Sequence, residues 1–436
     1  MPVAARSSFS QEAFDAFISA RDEPQWLLDL RRECWEAFRA LPMPGNKDEE
    51  WMRTDIRTFR LDKFAVPGVL ADDAIAPPAQ LTQGVELAGQ ATAVDSQPLS
   101  SWLDGRLTKR GVLFGSLDSL VRTHGDLLRP HLMTRAVDPR KDKFAALHGA
   151  FWTGGFALYV PKGVAVAEPF HMLSALSDGA VDFGHALVIL EDGADATVLA
   201  ETASDAEMSG GLHCGAIELI VGRGARLRYV NLQDWGRGVW HFAQQKALVD
   251  RDASIQWTIG ALGSRLAKVN QHVALVGEGA DAQVNGVMFT EGKQHLSYHT
   301  LQHHRAAHCR SDLLYKGGLQ DKSRIVWRGM IKVDPGAQKT DGYQRNDNLM
   351  LSADARSDSI PGLEIEADDV RCTHGSTSGR VDEELIYYAQ ARGLTRNEAV
   401  RLVVTGFFQQ VFDRITIESV REALGEAIRR RVREVE

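Results

Sequence analysis

A short phrase recurs along the middle of the chain, and its spacing constrains the fold more than any other feature. The segments EDGADATVL, VGRGARLRYV, VDRDASIQWT, VGEGADAQVNG and VDPGAQKTDG align at Ala194, Ala225, Ala253, Ala280 and Ala337. The first four anchors step by 31, 28 and 27 residues, and the last gap of 57 spans two such steps, with Ala307 at the intermediate beat. One further step each way reaches Val164 in VPKGVAVAEP and Ala367 in IEADDVRC. The runs between anchors are rich in Val, Ile and Leu and punctuated by Gly or Asp, a strand-and-turn pattern. A fixed period in the high twenties with strand content fits a solenoid, in which each coil closes the core of its neighbour. An antiparallel sandwich predicts shorter spacings of roughly 8–12 residues per strand and turn. Gly or Asp ahead of the anchor suits a tight turn with unusual backbone angles, and a small anchor suits a crowded inward corner. Seven steps at a strand spacing of ~4.8 Å give a column on the order of 34 Å tall. Both ends of such a column need caps or partners. The flanking helical segments are natural caps, and an open edge strand could pair with another chain.

Before the repeat, from Ser10 to Leu41, apolar residues fall at helical spacing, with Leu27, Leu30, Cys34, Phe38 and Leu41 on one stripe and Pro24 suited to a first helical turn. Pro42, Pro44 and Gly45 break the pattern, and Pro77 and Pro78 mark a loose connector. Another helical segment, around Leu117 to Met133, leads into FAALHGAFWTGGFALYVPKG. After the repeat, Asp382-Glu-Glu-Leu starts a helix, and Thr395-Arg-Asn-Glu398 has the capping-box pattern ahead of an apolar run. A third helix, from about Ile417, ends in the basic stretch Arg429 to Arg433, read as solvated charge compatible with the helix dipole. The expected fold class is mainly β: a right-handed parallel β-helix (β-solenoid) flanked by N-terminal and C-terminal helical segments. The expected boundaries are 1–150 for the N-terminal helical region with its connector, 151–378 for the β-helix core and 379–436 for the C-terminal helical domain.

Composition narrows the functional classes. A formal charge of −8, with 58 acidic against 50 basic residues, provides no broad basic field for a phosphate backbone, so nucleic acid is not an expected partner. The four cysteines, Cys34, Cys214, Cys309 and Cys372, lie far apart, and the N-terminal MPVAARSSFSQEAFDAF has no apolar signal core. Reduced thiols in the cytoplasm are expected. No stretch reaches the ~20 consecutive apolar residues of a membrane span. There is no GxxxxGK[ST] phosphate loop and no GxGxxG opening a helix, so ATP binding in those modes is not expected.

Two groups of residues carry possible metal chemistry. Five of the 14 histidines, His295, His299, His303, His304 and His308, lie close together with Cys309 next. In a strand only residues two apart share a face, so the cluster reads either as a metal site or as polar solenoid surface. Cys372 and His374 are one residue apart, so in an extended segment both side chains leave the same face. Two N/S donors side by side could ligate iron or zinc, but two ligands do not complete a site, and a second chain could supply the rest. Asp341, Asp347, Asp368 and Asp369 could form a hydrolytic carboxylate pair, although turn-capping explains Asp in these loops more economically. A β-helix carbohydrate-active enzyme and a metal-free interaction module both remain open on the residues alone.

The run KTDGYQRNDNLMLSADARSDSIPGLEIEADDVRCTHGSTSG, continued by DEELIYYAQARGLTRNEAVRLVVTGFFQQVFD, resembles the SufB/SufD scaffold family of iron-sulfur cluster assembly. FAALHGAFWTGGFALYVPKG, HHRAAHCRSDLLYKG and KDEEWMRTDI are similar to the same family. Within it the pattern is of SufD type. The resemblance places Ala355 where SufB-type members carry a cluster-binding cysteine, and Thr373-His374-Gly375 where they have Glu-His-Glu. It implies a non-catalytic cytoplasmic scaffold subunit, powered by a separate ATPase. A SufB-like chain would join through the C-terminal part of the β-helix, and a SufC-like ATPase would dock on the C-terminal helices. Alone, the chain would have a homodimer as its alternative assembly. It further implies that His374, with Cys372 beside it, faces the scaffold interface and helps iron binding there. The iron-sulfur cluster would be transient and shared with the SufB-like partner, with none permanently bound by this chain alone.

Overall fold

The computed structural model describes residues 9–70 and 74–432. The first eight residues, which fall in the stretch read for a signal core, and Arg433 of the basic stretch lie outside the described residues. The chain is mainly β, a parallel β-solenoid with helices on both sides of it in sequence. Each coil gives one strand to each of two sheets. One sheet runs from Gln97–Leu103 at its first edge to Arg371–Arg380 at its last, and the other from Leu113–Ser116 to Arg356–Ile365. Among the described residues only the first pair in each sheet is antiparallel. Among the described residues no helix is long and apolar enough to cross a membrane.

The period seen in the sequence is the coil length. Asp195, Arg226, Ser254, Asp281, Arg310, Asp341 and Arg371 occupy equivalent places in successive in-register strands. Two residues ahead of the first six of these starts stand Gly193, Gly224, Asp252, Gly279, His308 and Lys339, all with φ between 54° and 74°. This is a left-handed turn repeated once per coil, a conformation glycine adopts freely and Asp or His tolerates. The residue between turn and strand is the inward corner, occupied by Ala194, Ala225, Ala253 and Ala280, all about 1 % exposed. In the next coil the corner is Cys309, and not Ala307, because Arg310 pairs with Asp281. Cys309 is buried, and its thiol donates to the Gly277 carbonyl at 3.2 Å. In the last two coils the corner passes to Thr340 and Val370, so Ala337 and Ala367 fall out of step by three residues. The longer turn through Pro335 and Gly336 absorbs them, with Ala337 buried beneath it.

Alternation along the strands sends one row inward and the next outward. The inward rows form a continuous apolar interior in which Trp257, Tyr298, Tyr315 and Trp327 are the large fillers. The helices cover the flanks of the column instead of sealing its ends, the place expected from the sequence. Gln25–Ala40 and Lys143–Phe151 bury Trp35, Phe38 and Phe151 against the outer face of one sheet, where Phe144 stacks on Phe242 at 3.7 Å. Arg396–Phe412 starts with the full capping box between Thr395 and Glu398. With Glu418–Arg431 it buries Val404, Phe408, Val411 and Leu424 against Val287, Phe289 and Leu314 of the other sheet. The physical reason is area: an outward row of β-branched and aromatic side chains offers far more apolar surface than the single rim of a coil. Among the described residues the final strands of both sheets are therefore left with one open backbone edge each.

Candidate metal site at the open end of the column

Among the described residues the strand Arg371–Arg380 pairs only with Asp341–Met350, with Gly342 opposite Cys372 and Gln344 opposite His374. Gln344, Asn346 and Asn348 belong to an inward row and are at most 3 % exposed. In-register pairing puts Cys372, His374, Ser376 and Ser378 on the same inward row of the last strand. Ser378 and Ser357 confirm the direction, with their hydroxyl oxygens 3.3 Å apart across the final coil. Among the described residues no further coil covers this row, so His374 is exposed and Cys372 half-buried. The interior also turns polar here. Asn348 donates to the Ser359 hydroxyl at 3.1 Å, and Gln344 to the Gly362 carbonyl at 3.1 Å.

Cys372 packs with Ala367 and Val370 against Ile331, Val333 and Ala337. A Cβ at Gly342 would sit 3.3 Å from its sulfur, so glycine keeps that neighbour out of the thiol's way. Burial pushes the Cys372 thiol up from its ordinary range, opposed by the Gly342 N–H and reinforced by Asp341. The thiol is thus protonated at neutral pH, and any metal it binds must displace that proton. Cys372 and His374 share one face of one strand, two donors as the spacing indicates. Among the described residues no group of three or more His, Cys, Asp or Glu side chains is placed to hold a metal ion.

The histidine-rich stretch does not converge. His304 points inward to the Ser311 hydroxyl at 2.8 Å, His303 points outward to Asp334 at 2.8 Å, and His308 occupies the left-handed turn. His295 and His299 lie on the outward row with His303. Two of the four acidic candidates are engaged by other partners. Asp347 is consumed by Lys316 at 3.7 Å, Arg345 at 2.9 Å and the Thr377 hydroxyl at 2.6 Å, and Asp369 pairs with Lys339.

Sequence reading missed three buried histidine–carboxylate pairs, His171–Glu201 at 3.0 Å, His185–Glu218 at 3.1 Å and His213–Asp182 at 2.6 Å. Two of their carboxylates tie the N-terminal region to the column. Glu201 accepts the N–H groups of Gln80 and Leu81, and Glu218 those of Met133 and Val137, at 2.7–2.9 Å. The signal that finds them is the period itself, since the partners stand 30, 33 and 31 residues apart, one coil each.

Residues 172–407 match the family model described as SUF system FeS cluster assembly, SufBD core domain, and residues 12–172 match the SufBD protein N-terminal region. The iron-sulfur cluster assembly protein SufD of Bacillus subtilis is 29% identical over 99% of this chain and 100% of its own length. The iron-sulfur cluster assembly protein SufB of the same organism is 26% identical over 94% of this chain and 90% of its own length. An iron-sulfur cluster assembly SufBD family protein of Staphylococcus epidermidis is 26% identical over 91% of this chain and 88% of its own length.

Proposed function

The chain belongs to the SufBD family of SUF-system iron-sulfur cluster assembly proteins and is SufD-like, and on that premise we propose that it is the non-catalytic SufD-type scaffold subunit of a SufB-SufC-SufD complex. One observation carries the reading. The last strand, Arg371–Arg380, leaves both its backbone edge and its inward row open, and that row bears His374 and Cys372. An unpaired edge of this kind favours strand addition by a second chain, and an exposed row of inward-facing polar groups favours a partner that completes the coil. In this reading a SufB-like chain closes the end of the column, and the cluster is cargo held between the two scaffolds. His374 offers imidazole nitrogen and the partner offers thiolate, a donor set suited to iron. The first C-terminal helix, Glu383–Gln390, exposes Leu385, Tyr387 and Tyr388, and the next exposes Leu402, an apolar surface that suits docking of a SufC-like ATPase. Hydrolysis in that partner would shift the scaffold pair between arrangements that close or open the shared site. Without partners the same open edge favours a homodimer. The site of action is the cytoplasm.

The test is co-expression of this chain with SufB-like and SufC-like partners, comparing wild type with His374→Ala. The expected result is a complex that still co-purifies but assembles less cluster, read as iron and acid-labile sulfide after anaerobic reconstitution and as maturation of iron-sulfur enzymes in cells. Wild-type iron, sulfide and maturation in the His374→Ala complex would reduce the chain to an interaction module without a metal role.

A further inference from the structure

A cleft of about 350 Å³ opens on the outward face of the sheet that ends in Arg356–Ile365, walled by the segment 136–141. Its floor is built by register. Lys246, His272, Leu301 and Met330 form one row across four neighbouring strands, and Gln244, Asn270, His299 and Arg328 form the next. This face is separate from the inward row that carries His374.

The charges around the cleft are unevenly satisfied. Arg328 pairs with Glu49 at 2.5 Å, Lys141 lies 3.8 Å from Glu50, and Lys332 pairs with Glu364. Lys246, partly buried on the floor, has no ion-pair or hydrogen-bond partner among the described residues. Beside it, one register step away, the Nε2 of His272 is buried without a hydrogen-bond partner, and its ring stacks on His303 at 5.7 Å. Burial holds His272 well below its ordinary range, with Lys246, His303, Lys141 and Arg305 pushing in the same direction. Asp138 on the wall and Glu218 act on Lys246 only from beyond ion-pair distance, so the ammonium on the floor has no direct counter-ion.

From this geometry we propose that the cleft binds a small organic oxyanion, a carboxylate or phosphate ester with a compact apolar part. Lys246 supplies the charge, and the neutral His272 ring donates a hydrogen bond through Nε2. Neighbouring strands lie ~4.8 Å apart, so both groups reach a single oxyanion. A partly buried, unpaired ammonium is costly, and a bound anion offsets that cost. Leu301 and Met330 on the floor, with Ala136 and Val137 on the wall, provide the apolar contact. The volume lies at the low end of small-molecule pockets, roughly 300–1,000 Å³, which suits a metabolite and excludes a polymer. Binding in the cleft requires nothing of the open end, so either site can fail without the other.

Isothermal titration of the full-length chain with inorganic phosphate, citrate and phenyl phosphate tests the proposal. The expected result is saturable binding of at least one organic probe, tighter than inorganic phosphate. Lys246→Met keeps the aliphatic stem and is expected to weaken that binding at least tenfold, with a thermal midpoint no lower than that of wild type as the check on folding. His272→Leu is expected to weaken it as well. Lys162→Met, which changes an exposed lysine outside the cleft, is expected to leave it unchanged. The proposal is overturned by no saturable binding, by binding of inorganic phosphate alone, by unchanged affinity in Lys246→Met, or by an equal loss in Lys162→Met.

Discussion

Acid should unfold this protein earlier than its carboxylates alone would require, because its strands bury neutral histidines. Burial, with the Arg324 guanidinium nearby, holds His295 down to about 4 from an ordinary 6.5. Burial, with His303 beside it, holds His304 down to about 4 from the same 6.5. Each ring is neutral in the folded chain over a range where the unfolded chain takes up a proton. The unfolded state therefore binds more protons below pH 6.5, and the stability contributed is fully present above that value and lost as pH falls toward 4. For each of the two rings the loss between pH 7 and pH 5 is about 2 kcal/mol, at about 1.4 kcal/mol for every pH unit below 6.5. Together they remove roughly 4 kcal/mol, a large part of a typical domain stability of about 5–15 kcal/mol. Burial also raises Asp118 and Asp142, which oppose the trend by taking up protons in the folded chain. A differential measurement removes their contribution. His304→Gln should cost about 1 kcal/mol at pH 7 through the weakened bond to Ser311. Its further loss between pH 7 and pH 5 should be about 2 kcal/mol smaller than that of wild type. The assay is urea unfolding followed by far-UV circular dichroism at half-unit pH intervals. Parallel pH profiles for the two proteins would refute the assignment of this proton uptake to His304.

Thr395→Ala removes the side-chain acceptor of the Glu398 N–H, while the N–H of residue 395 still donates to the Glu398 carboxylate, and should destabilise the helix Arg396–Phe412 by about 1 kcal/mol, read as faster amide exchange in that helix with the column strands unchanged. Thiol titration of the native chain should label Cys372 first, since it is half-buried while Cys34, Cys214 and Cys309 are buried. Because burial raises the Cys372 thiol, its labelling should accelerate steeply from pH 7.5 to pH 9, and a flat rate over that range would contradict a protonated resting thiol.

The period was legible in the sequence because the left-handed turn and the inward corner each accept few residue types. Gly193, Gly224 and Gly279 mark the turn, and Ala194, Ala225, Ala253 and Ala280 mark the corner. It blurred where other residues meet the same demand, at His308 for the turn and Cys309 for the corner, so two positions that invited a metal reading are backbone geometry. The helices were legible from capping and spacing, but their seat along the flanks was not, because it depends on which outward rows are apolar once the coils are stacked. The same stacking turns the period into a contact map. In an in-register parallel column each residue lies beside those one coil before and after it, so a histidine and a carboxylate about thirty residues apart are neighbours, as His171 and Glu201 are. The open end stands apart for the same reason. Every inward side chain of an interior coil has a neighbour on both sides, whereas His374 has Gln344 below it and, among the described residues, no strand of its own chain above. The period that pairs the rest of the column thus predicts that the residue completing His374 belongs to another chain.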